Sequence, residues 1–289
     1  HGSRGQRKSV PNSRISRAIP ARVPVRMAVS IHPTAIVEKG AELADGVDIG
    51  PFCVVSGKAK LGEGVRLVSH VSVAGSTTIG ARTQVFPFAA LGHPPQDTKY
   101  KGEDTKLLIG TDNLIRESSV FHLGTAQGRG QTVVGSRGFF MNSSHIGHDN
   151  IVGNNVIYAT HAVSGGLATI DDFAILGGNS AIHQLGRIGM GGFIGGCAAV
   201  VGDVIPFGMV DNHGYLNGLN IVGLKRRGAT RETIHQLRSV YRELFHGGGF
   251  FEDRLKAVAE QYAAVPEIIR IVDFIRAGEK RPLCTPRAS

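Results

Sequence analysis

The sequence predicts a mainly β protein, a parallel β-helix followed by an α-helical domain. The first observation is a run of eleven aliphatic residues spaced six apart, from Ile31 to Leu91. A period of six fits neither an α-helix nor a single strand, and hexapeptide repeats are typical of parallel β-helices. The second observation is the recurrence of glycine and small residues at fixed places in each repeat. The third is a change to helical spacing after Val204.

The repeat returns in the same phase at residues 109–121 and again at residues 134–200, where only Ser164 breaks the apolar rule. Glycine often follows the aliphatic residue, which permits a tight corner without a Cβ clash. The residue four places on is usually small or β-branched, which suits a crowded strand interior. Three hexapeptides make one triangular coil of eighteen residues, and we expect about eight coils stacked about 4.8 Å apart.

Two segments leave the repeat, and the sequence predicts both as loops. The first spans residues 93–105 in place of one coil, and the second spans residues 122–132 and is rich in glycine. Loops on a rigid scaffold are where binding groups collect, although a solvated turn without a role is the alternative for each.

Changes in pattern divide the chain into three parts: residues 1–29, a β-helix over residues 30–212, and a helical domain with its tail over residues 213–289. In the last part, Thr230 is an expected N-cap, Gly247 ends that helix and Pro266 begins a later one. Residues 1–26 are rich in arginine and lack acids. We interpret them as a tag remnant or a disordered extension, with an organelle transit peptide as the alternative.

Composition narrows the classes of function. The formal net charge is +9, but seven positive charges precede the first acidic residue, Glu38, so the folded part gives little support for nucleic-acid binding. No apolar stretch approaches the ~20 residues of a membrane span. The three cysteines form no CxxC pair, which favours a reducing compartment without a disulfide framework.

The candidate chemistry lies around residues 141–150. His145 and His148 flank Ile146 of the inward apolar row, so both side chains should lie outside the core. A histidine followed by Asp149 is a candidate general base with an orienting carboxylate, and an ordinary solvated histidine is the alternative. A zinc site is a further hypothesis, drawing on His145, His148, His161 and His183. The basic segment 224–228 could hold a phosphate or an acidic partner, or be a solvated turn.

These motifs resemble those of the acyl-ACP:UDP-N-acetylglucosamine O-acyltransferases, which begin lipid A synthesis in Gram-negative bacteria. The resemblance covers roughly residues 31–275, and its most selective segments are Gln-Asp-Thr-Lys-Tyr at 96–100, His-Ile-Gly-His-Asp at 145–149 and Leu-Lys-Arg-Arg-Gly at 224–228. It implies a left-handed parallel β-helix and a cytoplasmic bacterial homotrimer with active sites between subunits. It also implies acyl-carrier protein and UDP-N-acetylglucosamine as partners. No metal or cofactor is expected, since acyl-ACP is a substrate.

The resemblance also implies roles for individual residues. His148 would remove the proton from the sugar 3-hydroxyl for direct attack on a 3-hydroxyacyl thioester, Asp149 would orient His148, and the Gly166 N–H would be the oxyanion donor. Gly196 would limit the length of the acyl chain. Substrate-contacting positions are Asp97, Lys99, His145 and Gln184, and positions that contact the nucleotide sugar or the phosphopantetheine are Asn220, Arg226 and Arg227.

The chain departs from the family pattern at three positions near the expected site. Leu167 replaces a histidine, Leu123 an arginine and Leu185 an aromatic residue. These changes leave a 3-amino UDP-sugar open as a second possible acceptor. Three further classes of function stay open: the related N-acyltransferase, which carries an extra N-terminal domain, a γ-carbonic-anhydrase-like zinc enzyme and a non-catalytic scaffold.

Overall fold

The computed structural model describes residues 28–278 and 281–287, so the predicted segment 1–29 lies almost entirely outside the described residues. Most of its strands are two residues long. In chain order they are β1 (Ser30–Ile31), β2 (Ile36–Val37), β3 (Glu42–Leu43), β4 (Asp48–Ile49), β5 (Val54–Val55), β6 (Lys60–Leu61), β7 (Arg66–Leu67), β8 (Ser72–Val73), β9 (Ser76–Ile79), β10 (Gln84–Val85), β11 (Ala90–His93), β12 (Lys106–Ile109), β13 (Leu114–Ile115), β14 (Val120–His122), β15 (Gln131–Val134), β16 (Phe139–Phe140), β17 (His145–Ile146), β18 (Ile151–Val152), β19 (Ile157–Tyr158), β20 (Val163–Ser164), β21 (Thr169–Ile170), β22 (Ile175–Leu176), β23 (Ala181–Ile182), β24 (Arg187–Ile188), β25 (Phe193–Ile194), β26 (Ala199–Val200), β27 (Gly208–Val210) and β28 (Leu216–Leu219).

From β1 to β26, each strand pairs in parallel with the strand three places later in the chain, and this pairing produces three flat faces. Sheet A starts with β1, β4 and β7, sheet B with β2, β5 and β8, and sheet C with β3, β6 and β9. Regular partners are eighteen residues apart, as in Ile31 with Ile49 and Val37 with Val55. The predicted coil of three hexapeptides is therefore confirmed.

The six-residue row forms the core of the solenoid. From Ile49 to Val200 its side chains are at most 3% exposed. The exception in the pattern, Ser164, is also buried, and its Oγ lies 3.0 Å from the Tyr158 hydroxyl. Burial raises the pKa of Tyr158, so the hydroxyl stays neutral and this pair satisfies two polar groups inside an apolar core.

Glycine has only part of its predicted role at the corners of the coils. Glycines directly after the row do avoid Cβ clashes, since a Cβ on Gly50 would run into the carbonyl group of Val68 in the next coil. The left-handed conformation that turns the chain comes two residues later, however. Among the described residues, seventeen that are not glycine adopt it there, including Asp149 (φ 59°) and Leu167 (φ 63°).

Both predicted loops are present, but the first does not take the place of a coil. Ile79 pairs with Ile109, thirty residues on, so the loop between β11 and β12 adds twelve residues to a coil that is otherwise complete. That part of the prediction is wrong, because the loop is inserted into a coil and does not replace one. The second loop, between β14 and β15, is a shorter insertion of the same kind.

In the described part of the chain after the solenoid, the helices are α1 (Ile221–Arg226), α2 (Arg231–His246), α3 (Phe251–Gln261) and α4 (Pro266–Arg276). Thr230 caps α2 by accepting from the Thr233 N–H, and Pro266 stands in the first turn of α4, as predicted. The helix α1 was not predicted, because its six residues are too few to show a helical period. None of the helices in the described ranges is long and apolar enough to cross a membrane.

The end of the chain returns to the solenoid. Asp203 is fully buried and bonds both Arg187 and Arg281, with N–O distances of 2.7 and 3.0 Å. The strand β28 pairs antiparallel with β27 and so extends sheet A beyond residue 212. The helical domain is thereby fixed to the last coil, and the boundary at residues 212 and 213 stays a prediction.

Candidate active site

The candidate site lies at the corner between sheets B and C, hereafter the B/C corner. Here β17 ends at Ile146, and His148 and Asp149 follow it. Gly166 comes eighteen residues after His148 and therefore occupies the same place in the next coil. Both inserted loops leave the solenoid at this corner, between strands of sheets B and C. The coil period thus brings the predicted catalytic residues and the two loops together.

His148 and Asp149 form a hydrogen-bonded pair. The imidazole Nδ1 lies 2.8 Å from the Asp149 Oδ2, with the two side chains 15% and 0% exposed. The carboxylate also accepts from the Thr125 hydroxyl at 2.6 Å and from the Arg129 N–H at 2.7 Å. Burial alone would raise the pKa of Asp149, but the bonds from Thr125, His148 and Arg129 outweigh it and hold that pKa below its ordinary value.

This arrangement settles which nitrogen of His148 can act as a base. Because Asp149 is ionised, it can only accept, so Nδ1 carries the proton and donates to it. The Nε2 atom then carries the lone pair. The hydrogen-bond network therefore leaves Nε2 as a base with a fixed ring orientation, which general-base catalysis requires.

Gly166 packs directly against this base. A Cβ at Gly166 would lie 2.5 Å from the Cε1 of His148 and closer still to Nε2, so no other residue fits without displacing the ring. Within the described residues, the Gly166 N–H donates to no protein acceptor. An N–H free to donate beside a base is the arrangement needed to stabilise an oxyanion.

Comparisons with known proteins identify the family of this chain. Residues 203–284 match the family model described as UDP-N-acetylglucosamine O-acyltransferase, domain 2. An acyl-[acyl-carrier-protein]–UDP-N-acetylglucosamine O-acyltransferase of Caulobacter vibrioides is 52% identical over 259 residues, covering 89% of this chain and 98% of the relative. One of Rhizobium johnstonii is 44% identical over 257 residues, covering 89% and 94%. The chain belongs to this acyltransferase family.

Solved structures give the same result for the fold of the family. The UDP-N-acetylglucosamine O-acyltransferase of Moraxella catarrhalis is 38% identical, with a TM-score of 0.85, and covers 88% of this chain and 99% of its own. The Arabidopsis UDP-N-acetylglucosamine acyltransferase is 30% identical, with a TM-score of 0.79, and covers 88% and 100%. The prediction of a left-handed parallel β-helix with a C-terminal helical domain is confirmed.

Several predicted substrate-contacting residues of the acyltransferase lie at the B/C corner. Asp97 and Lys99 belong to the first loop, where the Asp97 carboxylate accepts from the Lys99 N–H at 2.9 Å. Gln184 lies at the corner one coil beyond Gly166. His145 points outward from sheet B, and burial together with the charge of nearby His122 lowers its pKa to about 4. His145 is therefore neutral at physiological pH.

The other predicted contacts lie elsewhere on the single chain. Gly196 is at the corner between sheets A and B. Arg227 lies over the rings of Phe173 and Phe207, 5.6 and 5.8 Å from their centroids, and Arg226 is exposed on α1. Asn220 caps α1 and donates to the Gly191 carbonyl. One chain does not bring these residues to His148, and their roles stay predictions.

Two residues of the site were not singled out from the sequence. Thr125 and Arg129 hold the Asp149 carboxylate from the second loop, and a Cβ at Gly128 would collide with that carboxylate. The only signal was the glycine-rich character of this loop, since its close approach to Asp149 needs residues without side chains. Leu167 and Leu185 follow Asp149 as the corner residues of the next two coils.

A cavity between the C-terminal helices lies away from this site, and the described residues form no metal cluster. That cavity, of about 840 Å³, lies between the helices α2, α3 and α4 and the tail, and His148 does not line it. Residues 28–278 and 281–287 contain no group of three His, Cys, Asp or Glu side chains arranged to hold a metal ion.

Proposed function

We propose that this protein transfers a 3-hydroxyacyl chain from acyl-carrier protein to the 3-hydroxyl of UDP-N-acetylglucosamine, the first step of lipid A biosynthesis. The observation that carries the proposal is the His148–Asp149 pair with its Nε2 directed at Gly166. The names of relatives that span nearly the whole chain support both the donor and the acceptor.

The first step uses His148 as the general base. Its Nε2 takes the proton of the sugar 3-hydroxyl while the oxygen attacks the thioester carbonyl carbon. The buried, ionised Asp149 stabilises the imidazolium that forms, since it lies 2.8 Å from Nδ1. A base positioned in this way contributes about 10²–10⁴-fold to the rate.

The tetrahedral intermediate then collapses without a covalent enzyme intermediate. Its oxyanion accepts a hydrogen bond from the Gly166 N–H, which is worth roughly 3–4 kcal/mol in comparable oxyanion holes. The C–S bond breaks, and the phosphopantetheine thiolate takes the proton back from the Nε2 of His148. No metal or other cofactor enters this scheme, in which Asp97, Lys99, His145 and Gln184 bind the sugar nucleotide.

The active form is proposed to be a homotrimer. The outward residues of sheet B form a flat face that carries neither acid, lysine nor arginine in its described strands: Ile36, Val54, Ser72, Ala90, Val120, His145, Val163, Ala181 and Ala199. Ile36 is 61% and Val54 41% exposed on the single chain. Such a face favours burial against another subunit. A neighbour would then bring Gly196, Asn220, Arg226 and Arg227 to His148, and the assembly would act in the bacterial cytoplasm.

The direct test is an acyl-transfer assay read by mass spectrometry, with light scattering to count subunits. The purified protein is incubated with 3-hydroxymyristoyl-ACP and UDP-N-acetylglucosamine, and then with shorter and longer 3-hydroxyacyl chains. We expect an O-acylated sugar nucleotide in amounts that depend on chain length. A product only with the 3-amino analogue would assign the 3-amino sugar as acceptor, as the replacement of a histidine by Leu167 allows. No product with either acceptor would refute the proposal.

A further inference from the structure

The second loop, residues 122–132, holds Asp149 by its side chain, its N–H and its carbonyl group. The carboxylate accepts from the Thr125 hydroxyl and from the backbone N–H groups of Thr125 and Arg129. The Asp149 N–H donates to the Thr132 hydroxyl at 2.8 Å, and the Asp149 carbonyl accepts from the Arg129 guanidinium. An inserted segment of the chain therefore fixes the residue that orients the catalytic base.

Glycine allows the loop to come this close to the aspartate. A Cβ at Gly124 would collide with the backbone of Gln131, and one at Gly128 would collide with the carboxylate. Thr125 closes the loop on itself, because its carbonyl accepts from the Gly128 N–H and from the Gly130 N–H. The Thr125 side chain is consequently only 2% exposed, and the backbone of the loop sets its position.

The Thr125 hydroxyl has a single hydrogen, and its surroundings direct that hydrogen to Asp149. The hydroxyl oxygen accepts from the Gly128 N–H at 3.1 Å and lies 2.6 Å from the Asp149 Oδ2. Because an ionised carboxylate can only accept, the hydroxyl donates to it. The same Oδ2 accepts from the Nδ1 of His148 at 2.8 Å. One carboxylate oxygen therefore joins the second loop to the base.

We propose that Thr125 is a positioning residue for the acyl transfer, because its hydroxyl fixes the carboxylate oxygen of Asp149 that orients the imidazole of His148. This role rests on the proposed function. The shortest bond to Oδ2 comes from the Thr125 hydroxyl, whereas the Arg129 N–H holds Oδ1 at 2.7 Å. Without the hydroxyl the carboxylate can turn about its Cβ–Cγ bond, and the imidazole that is bonded to Oδ2 turns with it. A displaced base transfers the proton more slowly.

The hydroxyl has a second effect, on the charge of the His148–Asp149 pair. Burial raises the pKa of Asp149, but hydrogen bonds, the one from the Thr125 hydroxyl foremost, hold it below its ordinary value. Without that bond the pair takes up a proton more readily, so the acid limb of the kcat/KM profile should move to higher pH. The test changes none of the other ionisable groups around the pair, which include His122, His145, Arg129, Asp97 and Lys99.

The test compares Thr125→Val, which keeps the shape but lacks the hydroxyl, with Thr125→Ser, which keeps the hydroxyl. In Thr125→Val, kcat should fall about 10–100-fold, because a hydrogen bond to an ionised group is lost. The KM values for UDP-N-acetylglucosamine and acyl-ACP should stay within about twofold, since the buried side chain acts only through the base. Thr125→Ser should retain most of the turnover and the acid limb of the wild type.

Two further variants separate positioning from a structural role. Thr83→Val is the matched control, because the buried Thr83 hydroxyl also donates once, to the Gly110 carbonyl at 3.1 Å, and accepts once, from the Asn113 N–H at 3.2 Å. It should lower the melting temperature as Thr125→Val does, yet leave kcat and the pH profile unchanged. When Asp149→Asn is already present, Thr125→Val should cause little further loss of turnover, because the charge that the hydroxyl supports is gone.

Four results would overturn this role of Thr125. They are a near-normal kcat in Thr125→Val, an acid limb that coincides with that of the wild type, losses that multiply in the double variant with Asp149→Asn, and an equal loss of turnover in Thr83→Val. If Thr125→Val does not fold, Thr125→Ala also removes the hydroxyl and carries the same expectations. A wild type that acylates no sugar nucleotide would instead refute the proposed function, so the two failures can be told apart.

Discussion

Gly166→Ala is the most informative single substitution at this site. The added methyl group would lie 2.5 Å from the Cε1 of His148 and 3.0 Å from its Cδ2. Ordinary carbon contacts begin near 3.4 Å, so the imidazole must retreat by about 1 Å. That movement displaces Nε2 and loosens the 2.8 Å bond between Nδ1 and Asp149.

The expected loss follows from this displacement. A catalytic group misplaced by about 1 Å costs about 10²-fold in rate. We therefore expect kcat to fall about 100-fold, equivalent to about 2.7 kcal/mol of transition-state stabilisation. The melting temperature should change little, because the ring is 15% exposed and can move outward.

The assay is steady-state acyl transfer at saturating substrates, with Gly178→Ala as the control. Gly178 follows its core residue by two positions, as Gly166 does, but its added Cβ would meet only the Thr160 carbonyl oxygen at 3.3 Å. The control should retain most of the activity. Near-normal turnover of Gly166→Ala, or an equal loss in Gly178→Ala, would refute the reasoning.

Three further predictions concern the activity of an Asp149 variant, the pH dependence of stability through His145, and the buried Ser164–Tyr158 pair. Asp149→Asn keeps the packing but removes the charge that fixes the tautomer of His148, so kcat should fall about 10²–10⁴-fold, and a loss below threefold would contradict the role of Asp149. The pKa of His145 is about 4 when folded and 6.5 when unfolded, so the unfolded chain binds the extra proton between these values. The free energy of unfolding should therefore fall as the pH drops from 6.5 to 4, by at most about 3 kcal/mol, and urea titrations should show a flatter dependence in His145→Gln. Ser164→Ala leaves the buried Tyr158 hydroxyl unpaired and should cost about 1–3 kcal/mol, whereas the double variant with Tyr158→Phe should recover most of it, and a double-mutant cycle without coupling would contradict this pairing.

Much of the fold follows from the repeat, because one short period sets the core row, the pairing register and the corners together. The position of His148 outside the core also follows, since Ile146 faces inward. The length of the first insertion could not be derived, because a polar residue at a core position looks the same whether a coil is replaced or extended. Helix α1 could not be predicted, because its six residues make fewer than two helical turns and show no helical period.

The hydrogen bonds that hold the Asp149 carboxylate were harder to predict. The bonds from Thr125 and Arg129 to Asp149 depend on the path of an irregular loop, and sequence periodicity carries no information about that path. The contacts assigned to Arg226 and Arg227 depend on a second subunit, which no property of the single chain determines.

The central claim is that the Nε2 of His148 removes the proton from the acceptor hydroxyl. The most direct measurement compares the turnover of the wild type and His148→Ala with 3-hydroxymyristoyl-ACP and UDP-N-acetylglucosamine, after light scattering has verified that both have the same subunit count. We predict a loss of about 10²–10⁴-fold with the assembly intact. Turnover of the variant within a few-fold of the wild type would contradict the claim.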